Sequence, residues 1–305
     1  MTRVAVIGGG LMGHGIALTF ARAGHPVTVT DPTAEALASV PTRVAESLGL
    51  LGASEPEIKD ALAQITLCKT VPEAVSKADV VFEAAPEKLE LKQALFADIE
   101  EAAPADAILA SNTSVIQISK IMGGLKSRHR ALGTHWWNPP HMIPLVEVVK
   151  TEWTDPDLAI AMHDLLASAG KTPVIVEKDV PGFIGNRLQH ALWREAISLV
   201  ENGICSAKAV DDVVKASFGR RLAVLGPLEN ADLVGVELTQ DIHAQVLFDL
   251  ETRGDPSPYL QTLMDEGRSG MAAGAGFMDW KDGDLAATKE RVADHLRKLE
   301  AILPD

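Results

Sequence analysis

Apolar residues along this chain fall into short solid runs separated by longer stretches of helical period. Residues 3–8, RVAVIG, form a run with two β-branched valines and an isoleucine, the pattern of a buried strand. The period turns helical through Ile16, Ala17, Phe20 and Ala21 and stops at Gly24. A second strand-like run, PVTVT, ends at Asp31. Further strands are expected within ITLC (65–68), ADVVFEAAP (78–86), AILAS (107–111), RALGTHWW (130–137), PLVEVVK (144–150) and TPVIVE (172–177). Helical spacing predicts helices over 33–48, 54–63, 88–101, 116–122 and 155–169. This alternation is that of a mostly parallel sheet covered on both faces.

Strand signals nearly vanish beyond KDVPGF (178–183), where Pro181 and Gly182 punctuate the chain. Domains are therefore expected over 1–181 and 182–305. Helices are expected at 184–202, 206–217, 228–250, 257–267 and 284–301, with a glycine-rich loop at 270–283. The apolar content of this second piece points to burial against another subunit.

The junction between the first strand and first helix carries Gly8, Gly10 and Gly13 in the order G-x-G-x-x-G. Gly8 allows the tight turn, Gly10 lets a pyrophosphate approach the backbone, and Gly13 lets helix and strand pack closely. Free N–H groups of the first helical turn face the phosphates, so Leu11 and Met12 join the cofactor-binding set. Asp31, at the tip of the second strand, can accept both hydroxyls of an adenosine ribose and would repel a 2′-phosphate. This selects NAD over NADP, unless Asp31 is only a turn acid before Pro32. The fold expected is an α/β dinucleotide-binding domain of the Rossmann type followed by an all-α domain.

Charge narrows the partners. The 305 residues carry 28 Lys plus Arg against 42 Asp plus Glu, a net charge of -14. Such a surface repels nucleic acid and anionic membranes. Cys68 and Cys205 are too far apart in sequence to suggest a disulfide framework or zinc motif, and no metal-ligand spacing is visible. No secretory pattern opens the chain and no apolar run reaches about 18 residues, so a soluble cytoplasmic protein is expected.

Ligands of an open parallel sheet bind outside the C-terminal ends of its strands, so chemistry is sought there. His135, in GTHWWNPP, suits proton abstraction near neutral pH but needs its tautomer held. Glu147 lies in the apolar strand PLVEVV, where an unpaired carboxylate is costly. Pairing His135 with Glu147 accounts for both, unless His135 is a capped loop histidine beside the two tryptophans or Glu147 points to solvent from an edge strand. Ser111 either contacts the substrate oxygen or caps a helix, and Asn186 either donates to that oxygen or makes an N-terminal helix contact. On the oxygen they would steady the developing carbonyl, and Ser114 reads better than Ser111 as the cap. Asn138 either holds its loop or orients the nicotinamide. Glu87 and Lys92 either pair near the nicotinamide ribose or are helix-surface charges. Glu83 either faces the cleft or ends the burial of its strand. His135 would take the hydroxyl proton while the hydride goes to NAD.

VIGGGLMGHGIA, VVFEAAPEKLELK, SNTS, HWWNPP, PLVEVV and PGFIGNRL together resemble the 3-hydroxyacyl-CoA dehydrogenase superfamily over essentially the whole chain. The resemblance implies an L-specific 3-hydroxy substrate, NAD, and a dimer formed through the helical domain. By position it makes His135 the base, Glu147 its partner acid, Ser111 and Asn186 the substrate-oxygen contacts, and Glu87 and Lys92 cofactor-proximal. Enzymes acting on CoA thioesters usually carry a longer, lysine-rich helical pair after the second strand, which is short here. SFGRRLAVLGPLEN (217–230) and NRLQHALWREAISLVENGICS (186–206) are similar instead to the branch of L-gulonate 3-dehydrogenase, lambda-crystallin and L-carnitine dehydrogenase.

That branch implies a small free 3-hydroxy substrate. Arg221, with Arg220, could clamp its carboxylate, or these arginines cap a helix or pair with Glu229. Trp136 and Trp137 either narrow the pocket, stack on an aromatic or quaternary ammonium group, or are core. Trp137 is counted with the substrate-binding residues. The expectation is an NAD-dependent dehydrogenase of a small free L-3-hydroxy acid or carnitine-like compound. The runner-up is the same chemistry on a short-chain CoA thioester. An imine or amine reductase and a non-enzymatic crystallin-like protein are weaker alternatives.

Overall fold

The computed structural model describes residues 1–303. Its contacts divide the chain into two units, the first ending at Arg187 and the second beginning at Leu188.

The first unit is built on one eight-stranded sheet. Its strands are β1 (Val4–Ile7), β2 (Val27–Thr30), β3 (Ile65–Leu67), β4 (Val80–Glu83), β5 (Ile108–Ser111), β6 (Ala131–Trp136), β7 (Leu145–Val149) and β8 (Thr172–Val176). Their order is β3-β2-β1-β4-β5-β6-β7-β8. All neighbours run parallel except β6 and β7. The reversal follows from the linker: residues 137–144 are too few for a parallel crossover, which needs roughly a dozen.

Alternation along β1 divides two cores. Val4 and Val6 pack on one face with Ile16, Phe20 and Phe82, and Ala5 and Ile7 on the other with Phe96, Ile99 and Ile118. The covering helices are α1 (Gly13–Arg22), α2 (Ala34–Leu50), α3 (Glu55–Ala63), α4 (Val71–Val75), α5 (Leu89–Ala102), α6 (Ile118–Met122) and α7 (Pro156–Ser168). Helix α3 starts where Ser54 and Glu57 form a capping box, and α7 where the Asp155 side chain accepts from the N–H of Asp157. The short α4 had no counterpart in the sequence reading.

Helix α8 (Gly185–Glu201) contains the division between the units. Then follow α9 (Ala207–Ala216), α10 (Pro227–Val234), α11 (Val236–Val246), α12 (Pro258–Asp265) and α13 (Asp284–Ile302). The single helix expected over 228–250 is broken at Gly235, whose φ of 103° ends α10. Large apolar side chains stay exposed in this unit, among them Leu228, Leu233 and Phe248 at 80%, 75% and 81%. No helix among the described residues is long and apolar enough to cross a membrane.

Candidate active site

Strand order reverses between β1 and β4, the position where open parallel sheets bind ligands beyond their C-terminal ends. At the end of β1 the glycine turn has the expected shape. Gly8 has a φ of 108°, and a Cβ there would lie 2.8 Å from the carbonyl oxygen of Ala84. A Cβ on Gly13 would collide with the Gly8 carbonyl, whereas one on Gly10 would meet nothing within 4 Å. The turn is thus packed from beneath at Gly8 and Gly13 and open at Gly10. Asp31 accepts from the N–H groups of Gly9 and Thr33, each at 2.8 Å, which fixes its carboxylate beside this turn. An open glycine backbone, a helix N-terminus and a fixed acid at the second strand's tip suit a dinucleotide.

A cavity of about 320 Å³ opens beside this cradle, lined by Met12, Glu87, Ser114, His135, Trp137, Asn138 and Asn186 among others, all of the first unit. Antiparallel register sets His135 opposite Glu147. Imidazole Nδ1 and carboxylate Oε2 are 2.7 Å apart, with both residues buried. Both lie within strands. The other oxygen of Glu147 accepts from the N–H groups of Ile184 and Gly185, at 2.8 and 3.0 Å. Glu147 therefore caps α8 while it holds the imidazole. Burial alone would raise its pKa; the bonds from His135, Gly185 and Ile184 outweigh that and hold the carboxyl below its ordinary value.

Asn186 reaches the same cavity, and its amide donates to the Ser114 carbonyl at 2.8 Å. One amide N–H remains for a substrate oxygen. Ser111 does not reach the cavity. It is fully buried, and its hydroxyl donates to Glu83 Oε2 at 2.6 Å. The serine of this segment that lines the cavity is Ser114.

Glu83 is fully buried rather than facing the cleft, and pairs with Lys92 at 2.7 Å, itself 1% exposed. Lys92 also donates to the Ala85 carbonyl and lies 3.5 Å from Glu87. Glu83 is thus the buried tie among β4, α5 and β5, through Lys92 and Ser111. The other oxygen contacts of Glu87 come from the segment after β5: the Thr113 hydroxyl and the N–H groups of Ser114 and Val115. Burial raises the Glu87 pKa, but these donors and Lys92 together hold it below the ordinary range.

The two tryptophans separate. Trp136 is 2% exposed and packs edge-on against Phe20 and Phe82, so it is chiefly core although it touches the cavity. Trp137 forms a wall, its ring centroid 5.2 Å from that of His135. Asn138 also lines the cavity, whereas Leu11 is 60% exposed and does not. Arg220 and Arg221 are exposed residues of the second unit. Sequence reasoning gave no role to Asn112, whose side-chain oxygen accepts from the N–H of Trp136 and ties the ends of β5 and β6. It also overlooked His14, whose Nδ1 lies 3.0 Å from the Gly10 carbonyl oxygen.

Fold and site together define an NAD-dependent dehydrogenase. The chain belongs to the 3-hydroxyacyl-CoA dehydrogenase family: residues 3–180 match its NAD-binding domain and residues 182–280 its C-terminal domain. It is 35% identical over 302 residues to 5-formyl-3-hydroxy-2-methylpyridine 4-carboxylate 5-dehydrogenase of Mesorhizobium japonicum, covering 98% of this chain and 96% of that protein. It is 39% identical over 238 residues to the L-carnitine dehydrogenase of Streptomyces griseus, covering 77% and 70%. A crystal structure of a dehydrogenase with the same pyridine substrate name, described as an NAD+-dependent dismutase, superposes with a TM-score of 0.91 at 32% identity. That match covers 99% of this chain and 98% of the other.

Proposed function

We propose that this enzyme oxidises the C3 hydroxyl of a small, free L-3-hydroxy acid or carnitine-like 3-hydroxy compound with NAD, giving the 3-oxo product. The observation that carries this reading is the buried His135–Glu147 pair in the cavity beside the glycine cradle. Gly10, Met12 and Asp31 hold the cofactor, with Glu87 and Asn138 toward its nicotinamide end. NAD, when bound, accepts the hydride from the substrate carbon.

His135 Nε2 takes the hydroxyl proton as the C–H bond breaks, and Glu147 stabilises the resulting imidazolium and keeps the ring oriented. Asn186 and Ser114 steady the oxygen as it becomes a carbonyl; Ser114 takes the place given to Ser111 on sequence grounds. In the reverse direction His135 returns the proton. The preference is for a free acid over an extended acyl group. The names of the pyridine-carboxylate and L-carnitine dehydrogenases support the same preference.

The exposed apolar side chains of the second unit support a homodimer formed through that unit. The free thiols of Cys68 and Cys205 fit a reducing, cytoplasmic setting. NADH formation from free 3-hydroxy acids, carnitine and 3-hydroxybutyryl-CoA tests the activity. An efficiency for the CoA ester about 100-fold above every free compound would overturn the choice of substrate. Light scattering on the purified protein tests the dimer; a monomer at micromolar concentration contradicts it.

A further inference from the structure

Trp137 and Gly185 compete for one space. A Cβ built on Gly185 would lie closer than 3.0 Å to Cζ2 of the Trp137 indole and 3.3 Å from Cε2 and Cη2. All three atoms belong to the six-membered ring of the indole. Gly185 does not have a positive φ, so its backbone conformation does not call for glycine. The neighbouring indole does. That same indole stands beside His135 and forms part of the cavity wall.

We propose that Gly185 is the positioning residue for Trp137 and that the pair sets the width of the substrate cavity at His135, so that short 3-hydroxy compounds fit and extended acyl chains do not. This rests on reading the cavity as the substrate site of a dehydrogenase. A rigid indole has two side-chain torsions and moves as a body. Pushed from the Gly185 side it must shift against its neighbours, the imidazole and the cavity among them. Seated in the space that Gly185 leaves, it packs beside the imidazole and fills volume that a longer chain would need. Gly185 also donates its N–H to Glu147, so a side chain there has a second route to the site through the backbone. A double variant separates the two routes, because only the steric one depends on Trp137.

The test compares Gly185→Ala, Trp137→Phe and both together, by melting temperature and by kcat and KM on free 3-hydroxybutyrate and 3-hydroxyoctanoate. Gly185→Ala is expected to lower the melting temperature by about 2–8 °C and kcat/KM for the short acid about tenfold. Trp137→Phe, lacking the outer ring, should recover at least half of each loss when added to Gly185→Ala. Alone, it should raise the octanoate-to-butyrate efficiency ratio about tenfold, chiefly through KM. A harmless Gly185→Ala, or a double variant no better than Gly185→Ala, overturns the coupling. An unchanged chain-length ratio in Trp137→Phe overturns the role in specificity. If the unaltered enzyme oxidises neither these acids nor the rest of the panel, the functional reading and the specificity role fall together, while the melting cycle still decides the coupling.

Discussion

Glu147 faces His135 across the antiparallel pair β6 and β7, and its two oxygens serve two elements at once: one binds the imidazole at 2.7 Å, the other the first N–H groups around α8. Strand register therefore presets the orientation of the imidazole. Glu147→Gln keeps an oxygen for α8 but loses the charge that favours the imidazolium. Its kcat is expected to fall about 10²–10⁴-fold, while NADH binding, read by fluorescence titration, stays within about threefold.

Ser111 and Ser114 give opposite outcomes. Ser111→Ala leaves Glu83 Oε2 without its hydroxyl donor in a fully buried site. It should destabilise the fold by about 1–3 kcal/mol in urea unfolding with kcat changed less than about threefold. Ser114→Ala should leave stability nearly unchanged and lower kcat/KM at least about tenfold, the loss of one hydrogen bond in the transition state. The reverse pattern would return the substrate contact to Ser111.

Asp31 is held by two backbone N–H groups beside the glycine turn. Asp31→Ala is expected to reduce kcat/KM for NAD about 10–100-fold and to reduce that for NADP less. The readout is the ratio of the two efficiencies; a ratio that does not move would place the adenosine ribose elsewhere.

His141 should make the fold acid-sensitive. Burial, aided by His14 and Lys171, lowers its pKa from 6.5 to about 4, and its Nδ1 has no hydrogen-bond partner. The neighbouring His14 is also lowered, by burial and by Arg43, against the bonds it makes to the Gly10 turn. As pH falls from about 6.5 toward 4, the unfolded chain takes up protons that the folded chain refuses, so stability drains across that window. His141→Gln should flatten the urea-unfolding profile there by about 2 kcal/mol, after allowance for screening of a partly exposed ring. Equal slopes in both proteins would contradict this.

The fold was legible because each strand of the sheet is a short apolar run bounded by turn residues, and because β1 reads into its glycine turn without interruption. The His135–Glu147 pair was legible for a different reason: a carboxylate in PLVEVV is anomalous unless something holds it. What the pattern does not encode is the direction in which a side chain leaves a strand end. Ser111 is the last residue of β5 and points to Glu83, whereas Ser114, in the following turn, faces the cavity. Spacing placed Glu87 and Lys92 together, but the buried acid that holds Lys92 is Glu83, on the strand before. Nor does periodicity mark a helix break at a lone glycine, as at Gly235, since glycine also occurs within helices at a cost of about 1 kcal/mol.

His135→Gln tests the central claim most directly, with NADH binding and turnover measured on the same preparation. NADH affinity is expected to stay within about threefold of the unaltered enzyme and kcat to fall by about 10³-fold or more. Turnover near the original rate, with binding intact, would show that another group takes the proton and would contradict the account.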